Sequence, residues 1–270
     1  MLSRLIGYEF KATRRIFLPA YGVILLLSIA NAVSLFFSSE RFTLPAGLLV
    51  TCYILALFGV GVLTFAYMIS RFYKNLLGDE GYLMFTLPAR TSELIWSKCI
   101  VSTVWTVVTA IVSIISLLCI GIPLLSAETS FAELWSQLGQ LMSPLLREYG
   151  ANVIAIPLEW LVLGILSIIA SCLHIYACLS IGSLANKYRL GAAFLAYLGF
   201  SLARQTIFSV SVAVIAPFAP ENWLDALFSA QSTAVQLHLG GLAVLVYLLI
   251  SCAVNYAISQ YILSRHLNLQ

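Results

Sequence analysis

Residues 71–98 read RFYKNLLGDEGYLMFTLPARTSELIWSK, the longest polar interruption of the chain that also carries a cluster of charge. This stretch holds four of the 14 basic residues and three of the 11 acidic residues. Apolar runs of about 20 residues, the length that crosses a bilayer, lie on both sides of it. The stretch is therefore predicted to be a loop at the membrane surface that connects two spans.

The composition of the chain excludes an ordinary soluble domain. Of its 270 residues, 61% are hydrophobic and 9% are charged, whereas about 25% of the residues in an average soluble domain are charged. The mean hydropathy is +0.99. Lipid-exposed backbone needs helices or a closed barrel, and these apolar runs do not alternate in polarity as barrel strands do. We therefore predict an all-α polytopic membrane protein that forms a single domain over residues 1–270.

Six apolar runs have the length of a transmembrane helix. They cover residues 16–37, 46–70, 98–120, 153–184, 190–217 and 239–263. Residues 1–15 predict an amphipathic interfacial helix instead, because Leu2, Ile6 and Phe10 recur at every fourth position among basic residues. A solvated basic tail is the alternative for this segment. Residues 124–151 predict a helix that lies on the outer membrane surface, because their apolar stripe is helical but too polar to cross.

The basic residues are distributed unevenly between the two sides of the predicted membrane. Four lie in residues 1–15, four in 71–98, two in the turn at 186–189 and one in the C-terminal tail. The loops on the opposite side hold only Arg41 and Arg147. Because basic loops stay on the cytosolic side, both termini and residues 71–98 are predicted to be cytosolic.

The ends of the central loop contain signals for helix termination and initiation. Gly78 is suited to the left-handed position that follows a helix. Thr91 or Ser92 is suited to cap a new helix, with Glu93 in its first turn. This new helix is predicted to run without a break into the third span, so that the loop is joined rigidly to the membrane.

The middle of the loop is unusually apolar for a cytosolic segment. Residues 82–85 read YLMF, and Asp79 and Glu80 precede them. An exposed apolar cluster with a charged rim is typical of a contact surface for another protein. Contact of the same four residues with lipid headgroups is the alternative.

Two parts of the sequence resemble a known family of membrane proteins. The run NLLGDEGYLMFTLPARTSELIWSK at 75–98 resembles the second cytosolic segment of bacterial ABC-2-type exporter permeases, and LIGYEFKATRRIFLP at 5–19 resembles their N-terminus. Six spans with cytosolic ends agree with the fold of that family. The long outer segment at 124–151, between the third and fourth spans, departs from the ABCG-like members.

The resemblance implies a role for each of the two segments. It makes residues 1–15 a connecting helix and the segment 71–98 a coupling helix that docks on a cytosolic ABC ATPase subunit. The residues that it implies for docking are Asp79, Glu80, Gly81, Tyr82, Leu83 and Phe85. It further implies a second permease copy or a sister permease, a location in the bacterial plasma membrane, and export of a hydrophobic or amphipathic peptide, drug or lipid. Removal of toxins or antimicrobial peptides, and hence antimicrobial resistance, is the leading expectation for the substrate.

The chain lacks the motifs that would make it an enzyme. None of its lysines follows a glycine, so the phosphate-binding pattern GxxxxGK[ST] is missing, and there is no GxSxG or HExxH motif. ATP and magnesium are therefore expected on the partner ATPase, with no cofactor in this chain. The six cysteines and three histidines form no metal-ligand pattern and are interpreted as packing residues. No nucleic acid partner is expected.

Two charged residues fall inside the predicted spans. Arg204 lies near the middle of the fifth span and Glu159 in the outer part of the fourth. A charge at the bilayer centre costs about 2.5–3.5 kcal/mol on insertion scales, and such residues are functional candidates. With a rise of about 1.5 Å per residue, the two lie roughly 9 Å apart in depth. They are predicted to form an intramembrane charge pair, which either clamps the helices together or contacts a substrate.

Two other classes of function remain open at this point. One is a non-transporting membrane sensor or scaffold that binds a cytosolic partner through residues 71–98. The other is an ion-coupled carrier, which needs acidic residues in mid-span, where only Glu159 qualifies. An ATPase that co-purifies with the chain would separate a transporter from a scaffold.

Overall fold

A computed structural model describes residues 1–36, 43–78, 89–128, 131–185, 187–215 and 233–265. Within these ranges the regular structure is entirely helical, which confirms the predicted all-α class. The elements are α1 (Leu2–Phe36), α2 (Thr43–Phe72), a π-helical turn (Tyr73–Leu77), α3 (Thr91–Glu128), α4 (Phe131–Tyr149), α5 (Asn152–Gly182), α6 (Arg189–Ile215) and α7 (Thr233–Arg265).

Five of these helices are long and apolar enough to cross a membrane: α1, α2, α3, α5 and α7. Large apolar side chains project outward from them, and Leu26, Phe58 and Ile154 are 69%, 70% and 73% exposed. Exposed apolar surface of this extent is costly in water and ordinary in lipid. The chain is thus a multi-pass helical membrane protein. Helix α6, which corresponds to the fifth predicted span, is 27 residues long, and its passage through the membrane stays a prediction.

The N-terminal segment 1–15 does not form a helix of its own. Helix α1 is continuous over 35 residues and includes Pro19 in its interior. The physical reason is one buried stripe that runs along both the predicted interfacial part and the span. The stripe recurs every three or four positions and consists of Glu9, Thr13, Phe17, Tyr21, Ile24, Ser28 and Asn31.

The chain divides into two compact units. Unit 1 comprises Met1–Arg71 and Trp96–Glu148, and unit 2 comprises Phe72–Ile95 and Tyr149–Gln270. The chain therefore leaves unit 1 directly after Arg71 and returns to it at Trp96.

Aromatic side chains from α1 and α3 form the core of unit 1. The rings of Phe17 and Trp105 are stacked, with centroids 4.6 Å apart. The hydroxyl of Tyr21 lies 2.8 Å from that of Thr109. Ring stacking and a satisfied hydroxyl fix the two helices side by side in a definite register.

In unit 2, helix α5 packs on α6 and α7. Leu163 and Ala170 of α5 form a small core with Leu248 of α7. Gly182, at the end of α5, allows the start of α6 to approach closely, because a Cβ there would lie 2.5 Å from the Cβ of Ala193.

The two described edges of the central loop differ in detail from the prediction. Gly78 has an extended backbone (φ −95°, ψ −169°) and not the left-handed conformation. Its N–H instead closes the π-helical turn onto the carbonyl of Tyr73 at 2.9 Å, and a Cβ at Gly78 would lie 2.9 Å from the Lys74 carbonyl oxygen. This close approach accounts for the glycine.

Helix α3 begins at Thr91, so Thr91 is its first residue and not the cap that was predicted at Thr91 or Ser92. The carboxylate of Glu93 accepts a hydrogen bond of 3.1 Å from the N–H of Arg90. This is the return half of a capping box, so the capping contact comes from Glu93. The helix then continues for 38 residues to Glu128, which confirms the unbroken connection from the loop edge into the third span.

Helix α4 lies within the predicted surface segment 124–151 and contains Pro144. Its described side chains are almost all exposed, including the large apolar residues Trp135 and Leu141. The predicted helix is confirmed, and its location on the outer membrane surface stays a prediction.

Candidate functional site

The six residues predicted to dock on a partner, Asp79, Glu80, Gly81, Tyr82, Leu83 and Phe85, lie outside the described residues. The described chain reaches Gly78 on one side of them and resumes at Ala89 on the other. The candidate site is therefore built from the two edges of the segment 71–98 and from the side chains that hold these edges.

Both edges of the segment are attached to one carboxylate of helix α1. Lys98 donates from Nζ to Glu9 Oε1 at 2.7 Å. Arg71 donates to Glu9 Oε2 from Nη2 at 2.7 Å and from Nε at 3.2 Å. Glu9 therefore binds the last turn of α2 and the first part of α3 at the same time, and we call this three-residue cluster the Glu9 clasp.

The clasp is largely removed from solvent. Glu9 is 7% exposed and Lys98 is 3% exposed, while the side chain of Arg71 is 27% exposed. One carboxylate faces two cations, so the positive charges are in excess by one. Removal of one member of a buried ion pair costs about 3–5 kcal/mol, because the remaining charge is left without compensation. The clasp is accordingly a firm attachment between three helices of unit 1.

A second contact continues the clasp toward the aromatic core of unit 1. Thr13, one turn after Glu9, donates from its hydroxyl to the Glu9 carbonyl oxygen at 2.9 Å. The same hydroxyl accepts a hydrogen bond of 2.7 Å from Nε1 of Trp105 on α3. Helix α3 is thereby held to α1 at two successive levels, at Lys98 and at Trp105.

Sequence reasoning did not single out Glu9. A usable signal was present, because Glu9 is the only acidic residue in residues 1–36 and stands among four basic ones. It also begins the four-residue spacing with Thr13 and Phe17 that marks the buried stripe of α1. A lone acid on the buried stripe of a basic helix indicates that a cation elsewhere in the chain is its partner.

In unit 2, the first residues of the segment are buried. The ring of Phe72 stacks on that of Tyr176 in α5, with centroids 4.0 Å apart and an interplanar angle of 9°. Leu76 and Leu77 of the π-helical turn are 0% and 2% exposed. Arg189, the first residue of α6, donates to the Leu77 carbonyl oxygen at 3.4 Å. The π-helical turn is therefore anchored on α5 and α6.

The second candidate site was the intramembrane pair of Glu159 and Arg204. The structure gives Glu159 a different partner, because its Oε2 lies 2.5 Å from Nδ1 of His238 on α7. Gly241, one turn further along α7, leaves room for the Glu159 carboxylate, which a Cβ at that position would overlap. Arg204 is exposed, and among the described residues no ion pair or hydrogen bond engages its side chain.

A third polar cluster lies inside unit 2. His174 is 8% exposed, and its Nδ1 lies 3.4 Å from Oδ1 of Asn255. Its ring also lies near those of Tyr197 and Phe200, at centroid distances of 5.2 and 6.1 Å. These contacts are those of a satisfied interior histidine, which is how the sequence analysis interpreted it.

The contacts within these clusters hold helices to one another. In the part of the chain that the structure describes, no three His, Cys, Asp or Glu residues are grouped as metal ligands. Comparison of the chain with models of protein families, with characterised proteins and with solved structures found no match. The function is therefore argued from the clasp and the clusters themselves.

Proposed function

We propose that this chain is the membrane-spanning permease subunit of an ATP-driven ABC exporter of the ABC-2 type, in the bacterial plasma membrane. In this proposal the chain crosses the membrane six times, with α6 as one of the passages and both termini in the cytosol. A separate ABC ATPase holds ATP and magnesium and docks on residues 71–98 through the predicted contact residues 79–85.

The Glu9 clasp is the observation that supports this proposal most strongly. A segment that transmits a movement from a partner to the membrane helices must be held firmly at its two ends. Otherwise the loop bends and the movement does not reach the helices. Arg71 and Lys98 stand at the two edges of the segment, and both donate to Glu9 at 2.7 Å. Arg71 and Lys98, at the two edges of the segment, are thus held on a base to which α1, α2 and α3 all contribute.

Helix α3 offers a direct route for movement away from this base. It begins seven positions before Lys98 and continues without a break for 38 residues, which corresponds to about 57 Å at 1.5 Å per residue. A displacement at the loop edge moves such a helix as one body. The contacts of Phe72 and Leu77 with α5 and α6 offer a second route within unit 2.

The exposed apolar surface supports a pathway between two permease chains. Each described span presents large apolar side chains outward, among them Leu55 of α2 and Leu158 of α5. A second copy or a sister permease would cover part of this surface, and lipid would cover the rest. A path lined in this way favours hydrophobic or amphipathic cargo, such as a peptide, drug or lipid, which the complex moves outward.

The proposal is tested by purification and reconstitution of the complex. The tagged chain is co-expressed with a candidate ABC ATPase, purified and placed in liposomes, and ATP hydrolysis is measured across a panel of peptides, drugs and lipids. An exporter retains the ATPase and hydrolyses ATP faster with its substrate, and an ATPase variant that binds but does not hydrolyse ATP is the control. A chain that retains a cytosolic partner without nucleotide-dependent transport is a scaffold.

A further inference from the structure

A cavity of about 440 Å³ lies on unit 2 between α6 and α7. The described residues that line it are Ser201, Arg204 and Gln205 from α6 and Tyr247 from α7. Pockets of about 300–1,000 Å³ are of the size that holds small ligands in proteins. The cavity is therefore large enough for a polar headgroup with the start of an attached chain.

The described part of the lining is rich in hydrogen-bond donors and holds no acidic side chain. The guanidinium of Arg204 presents five N–H donors in a planar fork, and the side chains of Ser201, Gln205 and Tyr247 each add at least one donor. Among the described residues that line the cavity there is no carboxylate. A fork of this kind matches the paired oxygens of a phosphate or carboxylate, so the lining selects an anion over a cation.

Within the described part of the chain, Arg204 is open to such a ligand. Glu159, the acidic residue of α5 in the same unit, is already engaged by His238. Among the described residues no side chain pairs with Arg204, although a charge placed in the middle of an apolar helix needs compensation. A ligand that brings its own negative charge supplies that compensation.

Exposed apolar side chains stand on the same faces of α6 and α7 as the residues that line the cavity. On α6, Leu198 lies three positions before Ser201, and Leu202 lies three positions before Gln205. On α7, Val244 lies three positions before Tyr247, and Ile250 lies three positions after it. All four are exposed large apolar residues. Residues three positions apart lie on the same face of a helix, so the donors sit within an apolar border along which an acyl chain can extend.

We propose that this cavity binds the phosphate-ester headgroup of an amphiphile, with Arg204 as the principal donor and the acyl chain along the apolar border. If the chain is an exporter, the cavity also indicates that its cargo is an anionic amphiphile. This cargo assignment rests on the proposed function. Binding itself requires no ATPase, so it is measured on the permease chain alone. The shared chemistry of possible ligands is a phosphate ester, carried either by a lipid or by a soluble molecule.

The test is a titration of the purified full chain in a neutral detergent, followed by thermal unfolding. Dioctanoyl phosphatidylglycerol is the anionic probe, and dioctanoyl phosphatidylcholine has the same chains with a zwitterionic headgroup. Glycerol phosphate has the anionic headgroup without the chains. The proposal expects a saturable rise of several degrees in Tm with phosphatidylglycerol only. Equal rises with both lipids contradict the charge selection, and an equal response to glycerol phosphate contradicts the role of the chains.

Variants locate the site. Arg204→Gln is expected to weaken phosphatidylglycerol binding at least tenfold, Arg204→Lys to retain part of it, and Tyr247→Phe to weaken it a few-fold by loss of one donor. Arg147→Gln, which removes a cation from α4, is the matched control and is expected to bind as the native chain does. If Arg204→Gln does not fold, the affinities of Arg204→Lys and Tyr247→Phe for phosphatidylglycerol test the site. Native affinity in both of these overturns the assignment to this cavity.

The outcome for the site and the outcome for the exporter are separable. If phosphatidylglycerol binds through Arg204 and no ATPase is retained or stimulated, the site stands as a lipid-binding site and the exporter proposal fails. If an ATPase drives transport and Arg204→Gln transports every tested anionic amphiphile at the native rate, the exporter stands and the cargo assignment fails.

Discussion

Lys98 and Glu9 are 89 positions apart in the chain, yet Nζ of the lysine lies 2.7 Å from Oε1 of the glutamate. Arg71 reaches the other oxygen of the same carboxylate, also at 2.7 Å. The N-terminal helix is thus the common support for both edges of the segment at 71–98. The contacts of Glu9 therefore give the N-terminal helix a role in the stability of the protein.

Replacement of Glu9 by Gln is expected to destabilise the protein strongly. The variant removes the carboxylate that the buried ammonium of Lys98 contacts, and the expected loss is about 3–5 kcal/mol in the free energy of unfolding. Unfolding in detergent, followed by denaturant or temperature, measures it. Glu148→Gln, which changes an exposed glutamate of α4, is the matched control and is expected to remain within about 0.5 kcal/mol of the native chain.

A double variant shows whether the loss comes from the clasp. Glu9→Gln combined with Lys98→Met removes both the carboxylate and the ammonium that contacts it, so its loss is expected to be clearly smaller than the sum of the two single losses. Strictly additive losses would mean that the two side chains do not depend on each other.

The pair of Glu159 and His238 is tested through two adjacent glycines. A Cβ at Gly241 would overlap the Glu159 carboxylate, whereas one at Gly240 meets nothing within 4 Å. Gly241→Ala is therefore expected to destabilise by about 1–3 kcal/mol, the usual cost of overpacking, and Gly240→Ala to be close to neutral. In a Glu159→Ala background, the difference between the two variants is expected to shrink. The same difference in both backgrounds would show that the carboxylate is not the obstacle.

The close approach of α5 and α6 is tested in the same way. A Cβ at Gly182 would lie 2.6 Å from the carbonyl oxygen of Arg189, and one at Gly164 of the same helix meets nothing within 4 Å. Gly182→Ala is expected to lower the thermal midpoint by several degrees, and Gly164→Ala to leave it unchanged or raise it because alanine is the better helix former. Equal midpoints for the two variants would contradict the packing at this turn.

The helical class was predictable from the sequence because it depends on composition and on the length of apolar runs, which lipid constrains tightly. The start of α3 close to Thr91 was predictable from local signals, because residues that can cap a helix and an acidic residue in the first turn mark helix starts. The Glu9 clasp was not predictable from the sequence, because Glu9, Arg71 and Lys98 are distant in the chain and their pairing depends on how three helices pack. The partner of Glu159 was missed because depth along a span does not fix rotation about the helix axis, and rotation decides which neighbour a side chain meets.

The orientation of the chain is tested by labelling of introduced cysteines, in a chain whose six native cysteines are replaced by alanine. Lys74 at the edge of the central segment and Lys187 in the turn before α6 are both exposed and serve as labelling positions. Both are expected to react only with reagent on the cytosolic side, and Gln140 of α4 only with reagent outside, because basic loops remain in the cytosol. Reaction of Lys74→Cys from outside would reverse the orientation and remove the basis for an ATPase contact.

The central claim is that residues 71–98 dock on an ABC ATPase, and the most direct measurement is recovery of that ATPase with two matched variants. Leu83→Asp places a charge in the predicted apolar contact, where truncation of an anchor typically costs 2 kcal/mol or more. Leu138→Asp makes the same change at an exposed leucine of α4. Both variants are expected to insert and fold as the native chain does, since Leu138 is exposed and Leu83 is predicted to face the cytosol. The account predicts that Leu83→Asp loses the ATPase and its substrate-stimulated hydrolysis while Leu138→Asp retains both. Equal recovery of the ATPase by the two variants, with equal transport, would contradict it.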